Sequence, residues 1–232
     1  MTDAVVIRSV NKTFKRKVVF HDLSVTFPAG RVIGLLGENA IGKTTLLKMI
    51  ADIIKPNCGD IFIGSERAGL ATRARVSFMI NPENFYKFMR VKDAVAYYRD
   101  FYPDFDYARA MQLCEDFDLG QKWKITWLSK GQQERLCILL CLCRRVEVYL
   151  LDEPVAGLDP RFKHESIKAM LANTDDNKTI IISTHLLRDL DSVFDEVTIL
   201  TRDGVYQAAC DDIRAGGESV EQFYLRVTGG NT

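Results

Sequence analysis

The stretch GENAIGKTT, Gly37–Thr45, sets four residues between two glycines and follows them with lysine and threonine, the spacing of a phosphate-binding loop. At average residue usage a chain of this length matches that spacing by chance roughly 1% of the time. In such a loop the backbone N–H groups and the positive end of a following helix meet phosphate oxygens. Lys43 would add a full charge at the β and γ phosphates, and the Thr44 hydroxyl would hold Mg²⁺. The plainer alternative is a tight turn that uses its glycines for geometry alone.

A second candidate is the pair Asp152 and Glu153 in VYLLDEP. Asp152 ends an apolar strand, where its carboxylate emerges beside a bound phosphate chain and can ligate Mg²⁺ through water. Glu153 is expected to point the other way and to polarise an attacking water, as general-base chemistry requires. An acidic pair that merely caps a strand end is the bland reading. A third candidate, WLSKGQQERL at Trp127–Leu136, puts Ser129 and Gly131 at a helix start, which alone is only a capped helix. AGLD at 156–159 and STH at 183–185 complete the set.

These residues need elements to hold them. RVIGLLG (31–37) reads as a buried strand running into the loop, and KTTLLKMIADII as the helix that follows. VEVYLLDEP (146–154) and KTIIISTH (178–185) are further apolar strands, and continuous apolar strands imply a parallel sheet covered on both faces. AVVIRSVNKTF, KVVFHDLSVTFPAG and GDIFIGS alternate instead and predict a leading antiparallel sheet. From Val91 to about Arg145 the spacing is helical, with Pro103 as a break, and Asp203-Gly204 marks a hairpin between two late strands. The expected fold class is thus α/β: a phosphate-loop core with a mostly parallel sheet, an N-terminal antiparallel part and a helical insert. The expected division is a single domain over 1–232, with core segments 1–84 and 146–210, a helical segment 85–145 and a tail 211–232 whose TGGNT end is loose.

The 31 basic and 31 acidic residues cancel, which offers no footprint for nucleic acid. The longest apolar run, Leu136–Cys143, falls far short of the ~20 residues that span a bilayer, and the N-terminus lacks the apolar stretch of a secretory signal, so the chain is expected to stay in the cytoplasm. Six cysteines without paired spacing read as reduced core residues, although Cys137 and Cys141 share a helix face.

In this order the motifs resemble the ATP-binding subunit of ABC transporters, from about Val6 to Gln207. The resemblance implies ATP and Mg²⁺ as cofactors and a Walker A loop at Gly37, Asn39, Ala40, Gly42, Lys43, Thr44 and Thr45. It implies Asp152 as the Walker B aspartate, Glu153 as the catalytic glutamate, Asp159 as the D-loop aspartate and His185 as the switch histidine at the γ-phosphate. Ser129, Lys130, Gly131 and Gln132 fall on the signature motif, which in that family closes over ATP bound by the opposite subunit. Phe14 falls where an aromatic ring stacks on adenine, and Asn81 where a glutamine links Mg²⁺ to the helical insert. The implied partners are a second nucleotide-binding subunit and an integral membrane permease, with the chain peripheral on the inner face of the membrane.

Three positions depart from that pattern: Ala40 for glycine, Lys130 for the first signature glycine, and Asn81 for glutamine. Ala40 is tolerable where φ stays below zero. NPENFYKFM, FYPDFD and LSKGQ resemble the bacterial ABC-2-type export and resistance branch, in which Lys130 also occurs. Phe85, Tyr86, Phe88 and Met89 either pack the insert internally or receive a membrane subunit. Two other functions stay open: a soluble assembly factor of the same family, and a nucleotide sensor with weak turnover, which Asn81 encourages.

Overall fold

A computed structural model describes residues 2–172, 177–185 and 187–229. The chain opens with β1 (Asp3–Phe14) and β2 (Lys17–Pro28), then β3 (Val32–Gly37), α1 (Lys43–Ile50), β4 (Cys58–Ile63), β5 (Glu66–Arg67) and β6 (Val76–Phe78). Three helices follow: α2 (Val91–Phe101), α3 (Tyr107–Asp116) and α4 (Lys130–Leu142). The remainder runs β7 (Val148–Asp152), α5 (Pro160–Leu171), β8 (Thr179–Ser183), α6 (Leu187–Leu190), β9 (Glu196–Leu200), β10 (Val205–Ala209), α7 (Cys210–Ala215) and α8 (Val220–Thr228).

The strands form two sheets, β2-β1-β4-β5 and β10-β9-β3-β8-β7-β6. The first is antiparallel; in the second only β10 runs against its neighbour. The apolar runs of β3, β7 and β8 follow from what covers them. Ile33, Leu35, Val148, Leu150 and Ile181 face one core, shared with α1 and the antiparallel sheet. Val32, Leu36, Tyr149, Leu151, Ile180 and Ile182 face the other, shared with α2, α3 and α4. Both faces of each strand are dry, so an alternating pattern has no solvent side to record.

Segment 85–145 carries α2, α3 and α4 and no strand. Leu136 through Leu142 of α4 are all buried, which joins the helical segment to the sheet. Arg144 pins that junction: its guanidinium donates to the carbonyls of Ala74 and Val76 and to the Asp104 carboxylate. Five cysteines are buried and Cys58 is exposed; burial pushes the Cys141 and Cys143 thiols up to about 12, so both stay protonated.

Segment 211–232, expected as a tail, instead contributes most of α7 and all of α8. The Ser219 hydroxyl accepts from Gln222 N–H while the Gln222 side chain accepts from Ser219 N–H, a reciprocal cap. Val220, Phe223, Tyr224 and Val227 then lay one face of α8 on the core. Of the TGGNT end, Thr228 belongs to α8 and Gly229 terminates it at φ 72°; Gly230, Asn231 and Thr232 lie outside the described residues.

Candidate functional site

The loop after β3 is wound by its glycines. Gly37 takes φ 149° and Gly42 φ 122°, and a Cβ at Gly42 would come within 2.6 Å of the Phe20 ring. Ala40 corrects an expectation: it sits at φ 61°, inside the left-handed region, so the condition on which alanine was tolerable is not met. The loop holds this geometry at a cost of about 1–2 kcal/mol.

Lys43 is 7% exposed, and its ammonium donates to the carbonyls of Gly37 at 2.7 Å and Glu38 at 3.2 Å. An ammonium has three N–H donors, so one remains for an anion. Burial lowers the Lys43 pKa, opposed by the charges of Glu153 and Asp152. The next residue, Thr44, donates its hydroxyl to one Asp152 oxygen at 2.7 Å, and Ser183 donates to the other at 2.5 Å. Sheet register causes that second bond, because Asp152 at the end of β7 pairs with Ser183 at the end of β8. The sequence pattern assigns Ser183 no role, because its contact with Asp152 arises from strand pairing, which no local pattern contains.

Glu153 does not point away from Asp152 as the alternation suggested. It lies one residue past β7 at φ 51°, its N–H bonded to the Ser183 carbonyl, and its side chain lines the same cleft as Asp152. The His185 Nδ1 lies 2.9 Å from Glu153 Oε2. With the carboxylate ionised, Nδ1–H donates and leaves Nε2 free for a second partner.

The cleft has a volume of about 420 Å³. Of the expected residues, Gly42, Lys43, Thr44, Thr45, Asp152, Glu153, Asn39, Ala40 and Phe14 line it. Lys17 and Val19 of β2 also line it, and sequence reasoning missed both. Antiparallel pairing brings them there, with Phe14 opposite Lys17 across the β1-β2 hairpin. A hydroxyl beside a carboxylate at the mouth of an anion loop is the oxygen donor set that Mg²⁺ favours, so Thr44 and Asp152 fit that ion.

Four expected residues gather elsewhere. Ser129 caps α4, its hydroxyl accepting from Gln132 N–H at 3.2 Å, and Asp159 caps α5 through Phe162 N–H at 3.3 Å. The two caps are neighbours, since a Cβ on Gly131 would lie 3.5 Å from the Gly157 carbonyl. None of Ser129, Gly131, Gln132 and Asp159 lines the cleft. Asn81 joins neither group; its side-chain oxygen accepts from Glu83 N–H at 2.9 Å and caps the 3-10 turn Pro82–Asn84. The aromatic cluster divides: Phe85 and Met89 pack on the core, while Tyr86 and Phe88 are 63% and 72% exposed with their rings stacked at 5.4 Å.

Comparison with known proteins shows the family. The family described as ABC transporter matches residues 20–156. The chain is 30% identical to the ABC transporter ATP-binding protein YtrB of Bacillus subtilis over 197 residues, covering 84% of this chain and 68% of that protein. It is 33% identical to the Nod factor export ATP-binding protein I of Burkholderia lata over 205 residues, covering 83% of this chain and 66% of that protein. It therefore spans about two thirds of the length of these relatives. In fold it is similar to a solved structure of the ATP-binding subunit of an ABC transporter, with a TM-score of 0.85, 23% identity and coverage of 97% of this chain and 99% of that one.

Proposed function

Because the chain belongs to the ABC transporter family as an ATP-binding subunit, an ATPase coupled to transport, we propose that its cleft hydrolyses ATP to drive a separate membrane permease. The observation that carries the reading is the continuous set of bonds from Thr44 through Asp152 and Ser183 to Glu153 and His185 beyond the ends of β7 and β8, with Lys43 held on the loop carbonyls in the same cleft. Ligands of open α/β sheets bind outside the carboxyl ends of the strands, which is where this set lies.

The phosphate chain binds the loop N–H groups of 37–45, with Lys43 at its terminal phosphates and adenine against Phe14. Mg²⁺, held by Thr44 and Asp152, supplies charge neutralisation of the phosphates. Glu153 orients a water and takes up its proton; His185 fixes the carboxylate through Nδ1 and reaches the γ-phosphate with Nε2. The separation of Ser129 and Asp159 from the cleft supports a composite site: the signature residues of one subunit close over the nucleotide of another. The exposed pair Tyr86 and Phe88 supports a docking surface for the permease on the inner face of the membrane.

Glu153→Gln is expected to abolish turnover while retaining ATP binding. Phosphate release and equilibrium binding measured side by side check this, and native turnover would remove Glu153 from its role. The alternative, a nucleotide sensor with weak turnover, rests on nothing beyond asparagine standing at 81 where the family pattern has glutamine. Turnover too slow to follow in the unaltered chain would select it.

A further inference from the structure

We propose that Lys12 is a positioning residue for the nucleobase, acting through Phe14 by holding a cation against the far face of its ring. The inference rests on the reading of Phe14 as the adenine platform and extends it to a second residue.

Lys12 and Phe14 are two apart on β1 and therefore share a face of the strand. The Lys12 ammonium stands 4.7 Å from the Phe14 ring centroid, within cation–π range. It is fixed there by donation to the Lys55 carbonyl at 2.6 Å, which anchors the hairpin to the chain just beyond α1. Phe14 is 45% exposed and lines the cleft, whereas Lys12 does not. The ring is thus covered by charge on one side and offered to the cleft on the other.

Two effects follow. A ring backed by an anchored side chain cannot swing toward the cation's side, so its free face is presented in one orientation. The ammonium also draws π density toward itself, leaving the free face more receptive to an electron-rich heteroaromatic such as adenine. A charge that acted only by attracting phosphate would do neither, and Lys17, which lines the cleft, already places such a charge there.

The test compares the calorimetric affinity of the full chain for ADP and for pyrophosphate, ligands that share phosphates and differ in the base. Lys12→Met and Lys12→Gln are expected to bind ADP about two- to fivefold more weakly and pyrophosphate as before. Gln keeps a donor for the Lys55 carbonyl without the charge and so guards against a folding defect in Met. Lys12→Arg, which still stacks on an aromatic ring, is expected to keep ADP affinity. Equal weakening for both ligands, or native ADP affinity in both neutral variants, overturns the proposal. Phe14→Ala is the control: it is expected to lose about fivefold or more for ADP alone. If Phe14→Ala does so and the neutral Lys12 variants do not, the platform stands and Lys12 falls; if Phe14→Ala changes nothing, the platform itself falls.

Discussion

At the scale of single residues, the chemistry depends on backbone turns that side-chain identity does not announce. Glu153 reaches the cleft because it takes φ 51° one position beyond β7, and Ala40 shapes the loop at φ 61° although alanine has no preference for that region. The strain at Ala40 is measurable. Ala40→Gly is expected to raise stability by about 0.5–1 kcal/mol, since the relief of left-handed strain exceeds the extra freedom glycine brings to the unfolded chain. A thermal melt should shift upward by about 2 °C; a downward shift would mean that the alanine methyl makes a contact worth more than the strain. The loop itself was legible, because GxxxxGK[ST] is a local pattern with a local cause. The contribution of Ser183 was not, because its hydroxyl meets Asp152 only through the β7-β8 register.

At the scale of elements, legibility followed what covers each one. The strands β3, β7 and β8 announced themselves as unbroken apolar runs since both faces are buried, and the alternation of β1 and β2 reported a sheet with one wetter side. α8 was missed although SVEQ at 219–222 is a capping box and 220, 223, 224 and 227 have helical spacing; a short segment near a chain end invites the assumption of looseness. The stretch 85–89 could not be divided from sequence, since its aromatic and methionine side chains suit a core as well as a surface. Structure sends Phe85 and Met89 inward and leaves Tyr86 and Phe88 out, and this yields a prediction. Tyr86→Ser with Phe88→Ser is expected to leave the ATPase rate of the isolated chain within about twofold while weakening capture of a membrane partner about tenfold or more, because exposed aromatic pairs concentrate binding energy. Pull-down from detergent extract beside a turnover assay checks both halves, and unchanged capture would move the docking surface elsewhere.

At the scale of the whole molecule, the two clusters of expected residues do not meet within one chain. Lys43 lies in the cleft and Ser129 does not, so a variant defective in either should be rescued in part by a copy defective only in the other. Lys43→Ala and Ser129→Asp are each expected to show little turnover alone, and an equimolar mixture is expected to recover a fraction of it, because a mixed pair contains one intact composite site. A mixture as inactive as its components would argue for a heteromeric partner or for sites that must fire together. The paired caps at Ser129 and Asp159 give that second surface a fixed shape, since α4 and α5 begin side by side.

The grip of Lys43 on the carbonyls of Gly37 and Glu38 has one more consequence. The loop is already wound around its own ammonium, so an arriving phosphate takes the N–H that the carbonyls leave over instead of gathering a slack chain. Little ordering entropy is left to lose on binding, and the nucleotide meets a receptor set in advance by the side chain that will hold it.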